Sequence, residues 1–145
     1  MSEIKYYWKT IDAFLIKNGN EIYSSLLGPA DEKEINNLEN ILDIKLPDTF
    51  KESLLIHNGQ DENNNITTFI DYQKLLSVNE MIKNYKMFCE LFENEIVDFI
   101  KFNECKYIKR QYIFNNKWLK FTESNSDGLI MDFDPAEKGK AGQIF

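Results

Sequence analysis

Histidine is nearly absent from this chain: His57 stands alone among 145 residues. A nucleophilic triad would need a Ser or Cys and an orienting acid gathered around that one imidazole. No G-x-S-x-G elbow supplies such a nucleophile. His57 falls at an expected helix end, where a cation suits the macrodipole, so it reads as structural. Cysteine is limited to Cys89 and Cys105, which form no short pair. That excludes a disulfide framework and points to a reducing cytoplasm, with both thiols as small buried hydrophobes. No apolar run approaches the roughly 18 residues that span a bilayer. Residues 1–10 lack the charged start, apolar middle and small-residue cleavage site of a secretion signal. Glycine numbers six and proline three, and neither Gly28-Pro29 nor Gly139-x-x-Gly142 makes a phosphate-cradling loop or a dinucleotide fingerprint. Arginine is limited to Arg110, a bias that, with abundant Ile, Asn and Lys, fits an AT-rich genome rather than a function.

Positive charge is the other shortage. Seventeen Lys and Arg face twenty-four Asp and Glu, for a net charge of −7 and a pI near 4.8. A nucleic-acid binder should carry a basic footprint, so direct nucleic-acid binding is not expected. Residues 1–65 hold 12 acids and 6 bases, whereas 66–145 hold 12 and 11. The acid excess therefore lies on the first half, either as solvated helix faces or as a surface that attracts and orients a basic partner.

What is present is a globular composition, 43% hydrophobic and 14% aromatic. Ile4, Trp8, Ile11 and Leu15 make one face of a helix from Ile4 to Asn18, with Gly19 placed as a left-handed cap. Tyr23, Leu26 and Leu27 read as an apolar connection. Asp31-x-x-Glu34 opens an amphipathic helix through Ile35, Leu38, Ile41 and Leu42. Pro47-Asp48 opens another, with Phe50, Leu54 and Leu55 facing inward, ending at His57-Asn58-Gly59. Ser77-x-x-Glu80 caps a third amphipathic helix running to about Glu95. Strands are expected at Ile66–Tyr72, Ile96–Phe102, Lys106–Phe114, Trp118–Thr122, Gly128–Asp134 and Gln143–Phe145. Helices followed by strands predict a single α+β domain over 1–145, its N-terminal helices packed on a mixed or antiparallel sheet formed mostly by the C-terminal half.

Chemistry-bearing clusters are few. Asp132 and Asp134 share one strand face, with Asp127 nearby, and paired carboxylates can bind a divalent cation or do acid/base work. The glycine and terminal Glu of a calcium loop are missing, so no metal is expected. Basic residues alternate with aromatics between Lys101 and Phe121, as in single-strand binders, but one apolar sheet face explains that alternation equally well. Trp118 reads as core or as a binding anchor.

Taken in order, these breaks and caps resemble a known family. Trp8-x-x-Ile11-x-x-x-Leu15 is similar to its opening helix. Pro29-Ala30-Asp31-x-x-x-Ile35-x-x-Leu38-Glu39 and Leu46-Pro47-Asp48-x-Phe50 followed by His57-Asn58-Gly59-Gln60 resemble its next two segments. Leu75-Leu76-Ser77-Val78-x-Glu80, Trp118-Leu119-x-Phe121, Asp132-Phe133-Asp134-Pro135 and Gly139-x-x-Gly142-Gln143-Ile144 resemble the rest. The chain is thus similar to the SUKH superfamily, of Smi/Knr type, from about Trp8 to Ile144.

The resemblance implies an α+β fold, no catalytic constellation and no cofactor. Bacterial members of that superfamily are regarded as immunity proteins that neutralise toxins, often nucleases; fungal members are regulatory hubs in cell-wall synthesis. The leading expectation is an immunity protein that occludes a cognate toxin with a nuclease domain through Asp61, Glu62, Asp127, Asp132, Asp134 and Trp118. The alternative is an intracellular regulatory or scaffold module. Trp8, Pro29, Ala30, Ile35, Glu39, Leu46, Pro47, Phe50, Asn58, Gly59, Gln60, Gly139, Gly142 and Gln143 are expected to be structural. Two departures stand out: Lys120 replaces a frequent proline, and Ser124-Asn125-Ser126 replaces a glycine pair. A further helix commonly follows the last strand in such proteins, whereas this sequence stops at Phe145, so a monomer or weak homodimer with one less-covered face is expected.

Overall fold

Local signals account for each helix. In the computed structural model, which describes residues 1–63, 68–92, 105–109, 114–125 and 127–145, helix α1 (Glu3–Asn18) opens where the Ser2 hydroxyl accepts the Lys5 amide at 3.2 Å. Its Trp8 and Leu15 are buried. Gly19 ends it by donating to the Leu15 carbonyl at 2.7 Å. The expected left-handed cap is not formed, because Gly19 sits at φ −150° and begins helix α2 (Asn20–Ser25) at once. That helix reads as a connection in the sequence, since six residues are too short to show a helical period.

Helix α3 (Glu32–Leu42) starts from a capping box. Asp31 accepts from the Lys33 amide and Glu34 accepts from the Asp31 amide, both at 2.9 Å. Helix α4 (Asp48–Leu54) follows Pro47. Leu55, expected inward, is 40% exposed, because one residue further round the helix turns it away from buried Leu54. Helix α5 (Val78–Phe92) opens on the Ser77–Glu80 box, with Oγ accepting the Glu80 amide at 3.1 Å and Glu80 accepting the Ser77 amide at 3.0 Å.

The strands are shorter than the apolar runs suggest. Strand β1 (Lys74–Leu75) pairs antiparallel with β3 (Thr122–Glu123), and β2 (Trp118–Lys120), β4 (Ile130–Asp132) and β5 (Gln143–Ile144) form an antiparallel sheet in the order β2-β4-β5. The expected strand Trp118–Thr122 is broken at Phe121, whose amide turns to the Leu129 carbonyl at 3.1 Å while its own carbonyl accepts Leu76 at 3.0 Å. One strand therefore serves two small sheets. Of the strand expected at Ile66–Tyr72, the described residues form a tight turn instead. Gln73 donates to Ile70 at 2.7 Å, and Asp71 and Tyr72 take positive φ. Residues 106–109 form no strand; Ile96–Phe102 lies outside the described residues.

The described residues thus form helices and small antiparallel sheets, an α+β fold with its strands mostly in the C-terminal half. Helix α5 packs on both α3 and β2. Leu38, Leu42, Leu54, Leu76, Met81, Leu119 and Met131 close the core between them, and Phe50 meets Phe121 edge to face at 5.5 Å. Full burial of a leucine such as Leu38 or Leu119 contributes about 1.5–3 kcal/mol.

Candidate interaction surface

His57, Asn58, Gln60, Glu39 and Asp132 are engaged within the fold. In the His57-Asn58-Gly59-Gln60 run, His57 donates from Nδ1 to the Leu27 carbonyl (2.8 Å), and its Nε2 lies 3.1 Å from the Asp12 carboxylate. The ring is packed edge to face on Trp8, whose Nε1 donates to Ser53 at 2.8 Å. Asn58 accepts the Val78 amide at 2.8 Å and so caps α5 from a distant loop. Gly59 has φ +68°, and a Cβ there would lie 2.5 Å from the Leu76 carbonyl carbon. Gln60 is fully buried; it donates to Ser25 at 2.7 Å and accepts the Leu75 amide at 3.0 Å. His57 ties the run to α1 and the Leu27 carbonyl, while Asn58, Gly59 and Gln60 lock it to β1 and the start of α5.

Asp132 is the second hub. Its carboxylate accepts Trp118 Nε1 (3.1 Å), the Asp134 amide (2.9 Å) and Gln143 Nε2 (3.0 Å). It is 0% exposed, so the expectation of a partner-facing acid there is corrected. Strand β4 is central in its sheet and covered on both faces, which buries Met131 and Asp132 alike. Trp118 follows: it is 7% exposed, bonded to Asp132 and packed on Phe145, and is core rather than a surface anchor. Asp134 is half-exposed and held by Lys109 and Asn115. The Lys109 ammonium, aided by Asn115, lowers its pKa below the ordinary carboxylate range despite some burial. Gln143 also reaches the Tyr107 carbonyl at 2.7 Å, and a Cβ at Gly139 would meet that same oxygen at 2.3 Å. Gly142 takes φ +82°.

Other family-like positions are equally internal. Glu39 is buried, accepts the Leu46 amide at 2.8 Å and is approached by Lys51 at 3.4 Å. Ala30, Ile35 and Leu46 are buried, Phe50 is partly so, and Pro29 and Pro47 mark the entries to α3 and α4. Lys117 donates to the Leu42 and Asp43 carbonyls at 2.7 and 2.8 Å, closing the C-terminus of α3. Nothing in the sequence around Lys117 announces that role, since the two ends are 75 residues apart. Tyr85 has a pKa pushed up to about 12, first by burial and then by Cys89 beside it.

The remaining predicted acids occupy separate loops. Asp61 accepts the Asn63 amide at 2.9 Å in a local turn, Glu62 is exposed and 3.3 Å from Lys83, and Asp127 is exposed in the turn after β3. The sequence reading missed a cleft of about 300 Å³ between α3 and α4, with Ile35 and Leu55 below Glu32, Asp48 and Glu52. Residues 31–52 hold seven acids and three lysines, which makes this the acid-rich side of the first half. Among the described residues, no group of three or more His, Cys, Asp or Glu side chains is arranged to hold a metal ion. No helix among them is long and apolar enough to cross a membrane.

Among the described residues, His57, Asn58, Gln60, Glu39 and Asp132 of this α+β domain bond within the fold itself. The chain belongs to the SMI1/KNR4 family (SUKH-1), whose model matches residues 29–145. Helices α1 and α2 precede that matched span. Over 79 residues the chain is 32% identical to a glucan synthesis regulatory protein of Neurospora crassa, an alignment covering 54% of this chain and 15% of that one. Over 74 residues it is 34% identical to the cell wall biosynthesis/cell cycle regulator smi1 of Schizosaccharomyces pombe, covering 51% of this chain and 15% of the relative. The chain therefore spans only about a seventh of the length of these fungal regulators.

Proposed function

We propose that this chain is a non-catalytic, protein-binding regulatory module that acts by occupying another protein, as the names of its fungal relatives suggest for them. The observation that carries this reading is the internal use of His57, Asn58, Gln60, Glu39 and Asp132. Each is bonded to backbone or side-chain groups of the fold itself. What such a domain offers a partner is its surface. The class of process is control of cell-wall synthesis, by likeness to the two regulators. The site of action expected for it is the cytoplasm.

A second reading, neutralisation of a nuclease toxin, is favoured by one observation, the net charge of −7. An acidic inhibitor can cover a basic nuclease cleft and gain speed of encounter from long-range attraction. Glu62 and Asp127 remain exposed for that role, whereas Asp132 does not. Affinity capture of cross-linked complexes from the native host separates the readings. The regulatory reading expects several endogenous partners connected with wall synthesis. The immunity reading expects one partner, carrying a nuclease domain and encoded beside this chain. Capture of no partner contradicts both.

A further inference from the structure

The geometry points to a docking groove along α1 for a short, acidic amphipathic helix. The groove has a volume of about 480 Å³ and lies between α1 and the turn after α4. Trp8, Ala13, Ile16 and Ile56 supply its apolar surface, and Ile16 is 55% exposed. Lys5 and Lys9 stand on its rim, both exposed.

Three observations select the occupant. First, neither Lys5 nor Lys9 makes an ion pair among the described residues, whereas Lys51, in the α3–α4 cleft, is held by Glu39 and Asp48. The one acid in the groove, Asp12, is 3.1 Å from His57 Nε2. Local charge at the groove is therefore positive, on a protein that is negative overall, and fits a partner segment bearing Glu or Asp. Secondly, the lining residues of α1 recur at positions 5, 8, 9, 12, 13 and 16. They run about 16 Å along the helix axis, the length of three turns of a second helix. Thirdly, Trp8 is fixed by Ser53 and His57, so the floor is rigid and needs little ordering on binding. An apolar stripe at i, i+3, i+4 and i+7 would lie on that floor, with its acids toward Lys5 and Lys9.

The inference rests on the protein-binding reading, and its test is separable from it. A displayed library of random 14-residue peptides is selected against the whole chain. Selected peptides should be net acidic with aliphatic residues at helical spacing. Their affinity should fall roughly tenfold or more for the K5E/K9E double variant, two exposed changes that leave the fold intact by circular dichroism. I16D should weaken them as well, at an exposed position. Selection of basic peptides, or of none, or binding indifferent to K5E/K9E, overturns the groove. Host partners that K5E/K9E still captures in full overturn it too while leaving the protein-binding function standing. Acidic peptides at the groove with no host partner captured would uphold the groove and sink the function.

Discussion

The two halves of the molecule are held together by different means. Residues 1–58 form helices, and the starts of α1, α3 and α4 are set by neighbours in sequence: Ser2, the Asp31–Glu34 box and Pro47. Residues 114–145 form strands of two or three residues, too short to specify themselves. Their geometry depends on side chains that reach across, namely Asp132 to Trp118 and Gln143, and Thr122 to Gln73 and Leu129. Local caps and apolar stripes thus start the helices of the first half, which also holds the buried polar groups Glu39 and Gln60, whereas the short strands of the second rest on polar contacts from distant residues. Two surfaces of the first half differ as well, the acid-lined α3–α4 cleft and the apolar, lysine-rimmed groove of α1.

The comparison breaks most visibly at the core the halves share. Leu119→Ala removes a fully buried side chain against α5 and should cost about 2–5 kcal/mol in denaturant unfolding. A polar hub should cost nearly as much as an apolar one if the second half depends on it. Asp132→Ala leaves Trp118 Nε1, Gln143 Nε2 and the Asp134 amide without their acceptor and should cost about 3 kcal/mol. A loss under about 1 kcal/mol would deny the contrast.

That difference governs what could be read from the sequence. The helices α1, α3, α4 and α5 were legible because a cap and an apolar stripe fall within one window of residues. The α+β class followed from helices preceding strands. Helix α2 was hidden by its brevity, and β1 by lying two residues from a capping box. Asp132 and Asp134 are close in sequence, but the expected strand Gly128–Asp134 ends at Asp132, which puts Asp134 in the following bend, and alternation does not say that β4 is central and buries Asp132 while Asp134 is half-exposed. The acid-rich cleft joins residues 12 to 23 positions apart and the α1 groove residues 40 to 51 apart, and no local pattern joins them.

Smaller effects sharpen the picture. Asn58→Ala removes the cap that the first half supplies to α5 and should cost about 1 kcal/mol, read as a lower Tm. The smallest effect is a pH dependence. The folded pKa of Asp134 is lowered, so its contribution is present above its unfolded value near 3.8 and is lost as pH falls through the lower, folded value. Asp134→Asn should therefore lower stability most near neutrality and progressively less as pH falls below about 4, which flattens the acid limb of the stability curve. An equal loss at pH 7 and pH 3 would assign Asp134 a role other than its pairing with Lys109.

The central claim is that internal polar groups build this domain and its exposed faces do its work. Hydrogen–deuterium exchange, with and without a captured partner, tests it most directly. The account predicts new protection on exposed segments, α1 foremost, with the amides of 118–120 and 130–132 unchanged. Protection centred on the Asp132 hub, with exposed helices unaffected, would contradict it.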